Sequence, residues 1–219
     1  MVEVIALIFD MDGVIVDSTP MHVEAWRVYL QRLGLSADNL ASRMLGKHNR
    51  DLVQDLFAHD TLSDEIIYEH GARKEELYRT MMSPVLEQHF VPGVREFVLR
   101  HREKPLGVAS NAEQANIDFV LDAAGMRPSF RAVISGHQVA RPKPFPDIYL
   151  EAARQLDCPP QQCVVFEDSA TGVQAARAAG AKVVGITTTL AQLSSVDLTV
   201  ANFLDPAIES WLQELASHS

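Results

Sequence analysis

Six short runs of aliphatic and β-branched residues, separated by longer segments with helical periodicity, constrain this chain more than any other feature. They are Val4 to Phe9, Leu106 to Ala109, Ala132 to Ile134, Cys163 to Phe166, Lys182 to Ile186 and Leu198 to Val200. A strand that is apolar on both faces must be covered on both faces, and a parallel sheet with helices on either side meets that condition. Helix signals fall where such a sheet needs them. Pro92-Gly93 precedes a helix over Val94 to Arg102, and Pro146 precedes one over Asp147 to Leu156. Asp168-Ser169 caps a third over Ala170 to Ala179, which stops at Gly180. The expected fold class is α/β, a doubly wound parallel sheet.

The rhythm fails once, between the first run and the second. There Met21 to Leu33, Arg50 to Phe57 and Glu65 to Met82 carry helix-type apolar spacing, with turn residues at Gly34, Gly46 and Ser83-Pro84. The spacing predicts an all-helical insertion, a cap, over residues 18–88, with the core domain formed by residues 1–17 and 89–219. With 47% hydrophobic content, 219 residues can bury one good core and a small second unit. An insertion placed directly after the first strand belongs at the carboxyl edge of the sheet, where open α/β folds bind ligands.

Charge narrows the partners. Nineteen basic against 29 acidic side chains leave a formal net charge of -10, which repels polyanions and excludes nucleic acid and anionic membrane surfaces as expected partners. No apolar segment approaches the roughly 20 residues needed to span a bilayer. The first run lacks the basic flank and cleavage site of a signal peptide. Two cysteines, Cys158 and Cys163, are too few for a zinc site of paired C-x-x-C motifs or for a disulfide framework. A soluble, cytoplasmic protein is expected.

Chemistry concentrates at strand ends. Asp10 and Asp12 lie two residues apart after the first run, so both carboxylates can approach one ligand from the same side, and Gly13 lets the backbone turn away sharply. The second run ends in Ser110-Asn111, Lys143 lies between Pro142 and Pro144, and the fourth run ends in Glu167-Asp168. Taken singly, these are ordinary helix caps, turns or a surface lysine. A parallel sheet brings its strand ends to one edge, and four such coincidences at one edge indicate a site.

Asp10-x-Asp12-Gly13-Val14, Ser110-Asn111, Lys143-Pro144-x-Pro146-Asp147 and Glu167-Asp168-Ser169-x-x-Gly172 together resemble the four ordered motifs of the haloacid dehalogenase-like hydrolase superfamily, close to its β-phosphoglucomutase-like branch. The resemblance covers essentially the whole length and implies a doubly wound core with a helical cap after the first strand. It implies Mg²⁺ held by the Asp10 carboxylate, the Asp12 main-chain carbonyl and Asp168, with Glu167 acting directly or through water. Asp10 would be the nucleophile that forms an aspartyl-phosphate, and Asp12 the general acid and base. Ser110, with neighbouring N–H groups from the Asn111 segment, would hold phosphoryl oxygens, and Lys143 would neutralise charge. The implied partner is a small phosphorylated metabolite, and the chain would act as a monomer or weak dimer.

Candidate substrate-binding residues lie in the insertion. The segment from Asp17 to Trp26 is similar to the first cap segment of that branch, which makes His22 and Trp26 candidates; Trp26 packing inside the cap is the alternative. Gly46 to Asp51 resembles the cap loop that supplies substrate contacts, which marks Gly46 and Arg50. Four steps separate Gly46 from Arg50, where the mutase has three, and this favours a phosphatase. Lys74 matches a cap lysine of the mutase, with a solvated position as the alternative.

The leading expectation is a phosphatase of small phosphate monoesters, sugar phosphates foremost. A β-phosphoglucomutase using the same phospho-Asp10 is the runner-up, since the motifs serve both reactions. A non-enzymatic phospho-acceptor switch of the response-regulator kind is a third reading; Asp12 argues against it, because a storage switch gains nothing from a group that hastens its own dephosphorylation. The dehalogenases of the superfamily need no metal, whereas Glu167-Asp168 and the second aspartate are what a metal-dependent phosphotransferase requires.

Overall fold

β1 (Ala6–Phe9) is buried along its whole length and lies inside a six-stranded sheet, flanked by β2 (Leu106–Ser110) on one side and β4 (Cys163–Glu167) on the other. The coordinates are a computed structural model, which describes residues 5–44, 49–57, 62–189 and 192–217. With β3 (Ala132–Ser135), β5 (Lys182–Ile186) and β6 (Leu198–Val200), the strand order is β3-β2-β1-β4-β5-β6. Every pairing is parallel. The doubly wound parallel sheet expected from the apolar runs is the one observed. β2, β3 and β4 each reach one residue further than their apolar runs, to Ser110, Ser135 and Glu167, because ladder hydrogen bonds are made by backbone and ignore side-chain polarity.

The helices are α1 (Thr19–Arg32), α2 (Leu40–Met44), α3 (Asn49–Leu56), α4 (Asp64–Met82), α5 (Val94–Arg100), α6 (Gln114–Ala123), α7 (Asp147–Gln155), α8 (Ala170–Ala179) and α9 (Ala207–Ser217). Side chains alternate across the sheet. Ala6 and Ile8 enter one core with Ala109, Ile134, Val165 and Val183, together with Ile148 and Tyr149 of α7 and Val173 and Ala176 of α8. Phe9 faces the other way. Its ring stacks on Phe166 at 4.8 Å and meets Phe130 edge-on at 5.8 Å, in an aromatic layer that also holds Phe97 and Phe203. The Ser169 side chain caps α8 by accepting from the Gly172 N–H at 3.1 Å, and Gly180 ends the helix at φ +88°. α2, α6 and α9 are additions to the sequence expectation. α2 has only five residues, and α6 has Glu113 at its N-cap position without a side-chain capping bond, so neither carries a strong start signal.

Two compact units make up the chain: Met1–Asp17 with Glu87–Ser219, and Ser18–Leu86. The second unit is helical. Its core gathers Trp26, Tyr29, Leu30, Leu40, Leu52, Val53, Phe57 and Ile67. In the sheet unit, the segment leaving β1 pairs with the returning one: Asp17 N–H donates to His89 O at 2.8 Å, and Val91 N–H to Ile15 O at 3.0 Å. Among the described residues, no helix is long and apolar enough to cross a membrane.

Candidate active site

The carboxyl ends of β1 and β4 are adjacent, and the backbone bond from Asp10 N–H to Phe166 O (3.0 Å) carries their pairing one step past the strand. Asp10 therefore stands beside Glu167 and Asp168. Each of the three carboxylates offers an oxygen within 4.8 Å of the other two, and all three are buried. Lys143 reaches them from the segment before α7: its Nζ donates to Asp10 Oδ1 and to Glu167 Oε1, each at 2.6 Å. Its main chain is clamped by Asn111, whose Oδ1 accepts from the Lys143 N–H at 3.2 Å and whose Nδ2 donates to the Lys143 carbonyl at 3.5 Å. Asn111 thus carries β2 into the site by aiming the lysine. Ser110, 1% exposed, accepts from the Ala112 N–H at 3.1 Å, which fixes its oxygen and leaves its own hydrogen to donate.

Glu167 is the most heavily bonded of the three. Oε1 accepts from Lys143 Nζ and from the Tyr149 hydroxyl, both at 2.6 Å. Oε2 accepts from the N–H groups of Asp168 and Ser169, each at 3.1 Å, and from Ser169 Oγ at 2.9 Å. Two glycines let the backbone come this close. At Gly13, with φ at +78°, a Cβ would lie 1.9 Å from Asp168 Oδ2, and at Gly172 it would lie 1.8 Å from Glu167 Oε1. The Thr188 hydroxyl donates to the Gly13 carbonyl and so ties the segment after β5 to the same turn.

The electrostatics follow from crowding. Burial pushes the Asp10 carboxyl well above the usual range; Lys143 pulls it down, while Glu167, Asp168 and Asp12 push it up. Burial and the neighbouring Glu167 raise Asp168 to about 7. Glu167 goes the other way: burial opposes its charge, but Lys143, Tyr149 and Ser169 hold it below the usual range. Burial likewise opposes the Lys143 charge, and Asp10 and Glu167 outweigh it, so the ammonium titrates above the ordinary lysine. Three buried carboxylates against one ammonium leave a negative surplus. A divalent cation with a preference for oxygen ligands fits that surplus and that donor set, as does the close backbone approach at Gly13.

Of the residues singled out in the sequence, the structure gathers Asp10, Asn111, Lys143, Glu167 and Asp168 into one bonded group. Ser110 lies at the β2 edge of it, and Asp12 is near enough to act on both Asp10 and Asp168. Asp147 serves the local fold instead, accepting from Arg141 at 3.1 and 2.9 Å. Gly46 lies outside the described residues. The other insertion residues find their partners within the helical unit. Trp26 is fully buried in that unit's core. Arg50 is exposed and donates to Asp64 at 2.6 Å. Lys74 is 1% exposed, which excludes the solvated alternative. It pairs with Glu75, lies 3.2 Å from His22 Nδ1 and sits over the Trp26 ring at 5.3 Å. The His22 ring stacks on Tyr78 at 3.8 Å. Sequence reasoning missed Tyr149 and the second role of Ser169. Tyr149 occupies an apolar position of α7, where its periodicity signals only core packing.

Known proteins resemble this chain along most of its length. The E. coli fructose-1-phosphate phosphatase YqaB is 35% identical over 180 residues, covering 82% of this chain and 95% of that protein. The β-phosphoglucomutase of Bacillus subtilis is 26% identical over 186 residues, covering 83% and 82%. Among solved structures, a HAD hydrolase of family IA, variant 3, from Entamoeba histolytica superposes with a TM-score of 0.84 at 26% identity, covering 95% of this chain and 97% of that one. The family model for haloacid dehalogenase-like hydrolases matches residues 5–180, a span that begins just before β1 and ends at the Gly180 cap of α8. The match thus covers every element that builds the acidic group, and the chain belongs to the haloacid dehalogenase-like hydrolase family.

Proposed function

We propose that this protein is a Mg²⁺-dependent phosphatase that hydrolyses small phosphate monoesters, sugar phosphates foremost, through an aspartyl-phosphate on Asp10. The contact of buried Asp10 with Lys143 beside Glu167 and Asp168 carries the proposal furthest. A carboxylate can attack a dianionic phosphate only where opposing charge is already in place. Lys143 supplies one such charge and opposes the burial that raises the Asp10 carboxyl. Asp10, the Asp12 main chain and Asp168 would hold the cation, with Glu167 behind them. When bound, Mg²⁺ supplies the remaining charge neutralisation between carboxylate and phosphate.

The chain's own groups then divide the work. An Asp10 oxygen attacks phosphorus in line as the ester oxygen departs, and Asp12 gives that oxygen its proton. Asp12 next takes a proton from the water that attacks the aspartyl-phosphate, and inorganic phosphate leaves. The Ser110 hydroxyl donates to a phosphoryl oxygen, since its own oxygen is already held by Ala112. Choice of ester is assigned to the helical unit, His22 and Lys74 first. A small phosphorylated metabolite is the partner, and a cytoplasmic setting suits Cys158 and Cys163, which form no disulfide.

The similarity to YqaB favours a sugar phosphate, and the similarity to the Bacillus enzyme favours a mutase as second reading. A panel of sugar phosphates assayed for free phosphate with Mg²⁺ tests the first. Conversion of β-glucose 1-phosphate to glucose 6-phosphate tests the second. Phosphate release from no ester of the panel would sink the phosphatase, and mutase turnover above hydrolysis would replace it.

A further inference from the structure

Glu167 Oε1 accepts two hydrogen bonds of 2.6 Å, one from Lys143 Nζ and one from the Tyr149 hydroxyl. The same Lys143 Nζ lies over the Tyr149 ring at 4.9 Å from its centroid. Tyr149 is 1% exposed, and burial together with the nearby Glu167 and Asp10 charges pushes its phenol well above the ordinary range, so it stays a donor. One side chain thus touches both ends of the ion pair: its oxygen holds the carboxylate and its face carries the ammonium. We propose that Tyr149 is a positioning residue that keeps the Lys143 ammonium shared between Glu167 and the nucleophile Asp10.

The reasoning is a balance of attractions. Lys143 donates at equal length to Asp10 Oδ1 and Glu167 Oε1. On the Glu167 side, Tyr149 satisfies part of the negative charge that would otherwise draw the ammonium over, since a hydrogen bond to an ionised acceptor is stronger than a neutral one. Without the hydroxyl, Oε1 has Lys143 as its one donor, while Oε2 keeps its three. The ammonium then leans toward Glu167 and away from Asp10. Asp10 Oδ1 then loses the ammonium contact that offsets negative charge where the dianionic ester must approach. Ester binding does not depend on this hydroxyl, whose hydrogen is held by Glu167 Oε1.

The proposal rests on the phosphatase reading above, and Tyr149→Phe tests it by removing one oxygen and leaving the ring. Expected are a fall in kcat of about 5- to 30-fold, a KM for the ester within about twofold of wild type, and a melting temperature lowered by only a few degrees, in line with one lost hydrogen bond. A double-mutant cycle with Glu167→Gln separates positioning from packing. If Tyr149 acts through Glu167, adding Tyr149→Phe to Glu167→Gln changes kcat by less than about twofold; a packing role costs the same factor in both backgrounds. In metal-free protein, the buried Lys143 ammonium should give a hydrogen–nitrogen NMR signal that shifts in Tyr149→Phe. An unchanged kcat, an unshifted ammonium signal or full additivity in the cycle would each overturn the proposal. A wild-type protein without phosphatase activity would instead overturn the functional reading, while the ammonium signal would still report on Tyr149.

Discussion

Lys143→Met removes the ammonium while keeping the length of the side chain, and its cost can be worked from the site. Lys143 is 4% exposed and makes two charge-assisted bonds, to Asp10 and Glu167. Glu167 retains four other donors, from Tyr149, Asp168 and Ser169, so the deficit falls on Asp10. Breaking a buried pair by removing one partner costs about 3–5 kcal/mol when the remaining group must stay charged. Asp10 has an escape, since it can take up a proton. Its folded pKa already lies above the ordinary 3.8 and would rise further without Lys143. A carboxyl whose folded pKa is raised contributes stability below its unfolded value and loses it as pH climbs through the folded value. The variant should therefore lose about 1 kcal/mol near pH 5.5, the worth of one ordinary hydrogen bond. Near pH 8 it should lose about 3–5 kcal/mol. Urea unfolding with a chelator present at both pH values measures the difference. Turnover with Mg²⁺ should fall about 10²- to 10³-fold, as for removal of a preorganised charge. Equal losses at both pH values, or less than about 1 kcal/mol near pH 8, would show that the ammonium is not what sustains the buried carboxylate.

Asp10→Asn should abolish turnover with the fold intact, and more than a few per cent residual phosphate release would exclude Asp10 as nucleophile. Asp12→Ala should slow the ester reaction by at least about 10²-fold, the usual worth of a positioned general acid and base; an unchanged rate removes Asp12 from the mechanism. Gly172→Ala puts a Cβ 1.8 Å from Glu167 Oε1, and Glu167 is pinned by five donors, so unfolding measurements should show an overpacking loss of about 1–3 kcal/mol with activity reduced alongside. Asp168, raised to about 7, makes the metal-free fold lose stability as pH rises from near 4 to near 7, because the folded state binds the proton more tightly than the unfolded one. Mg²⁺ must displace that proton, so the rise in melting temperature it gives over chelator should be larger near pH 8 than near pH 5.5, and equal shifts would contradict the assignment.

Sequence periodicity was sufficient for the sheet. Apolar runs such as Cys163 to Phe166 and the cap-and-stop pair of Ser169 and Gly180 act over a few residues, and local physics leaves them little choice. The motif residues Asp10, Lys143 and Asp168 were legible for the same reason: their types are unusual at the ends of buried strands or in the loops after them, and parallel pairing sends those ends to one edge. Asn111 was legible as a polar residue at a strand end, but its grip on the Lys143 main chain was not. Lys74 read as solvated or substrate-facing, and burial beside Glu75 and His22 came only from the packing of α1 against α4.

What the chain's order of residues determined by itself was the set of strands, the break after the first of them, and the identity of the acids and the lysine. What only tertiary structure decided was which oxygen each donor meets. Asp10 and Lys143 are 133 positions apart and share a 2.6 Å bond, while Tyr149, apolar by periodicity, turns its hydroxyl onto Glu167. Periodicity is a property of neighbours along the chain, whereas a hydrogen bond in a buried site depends on where two backbones come to rest after the core has packed.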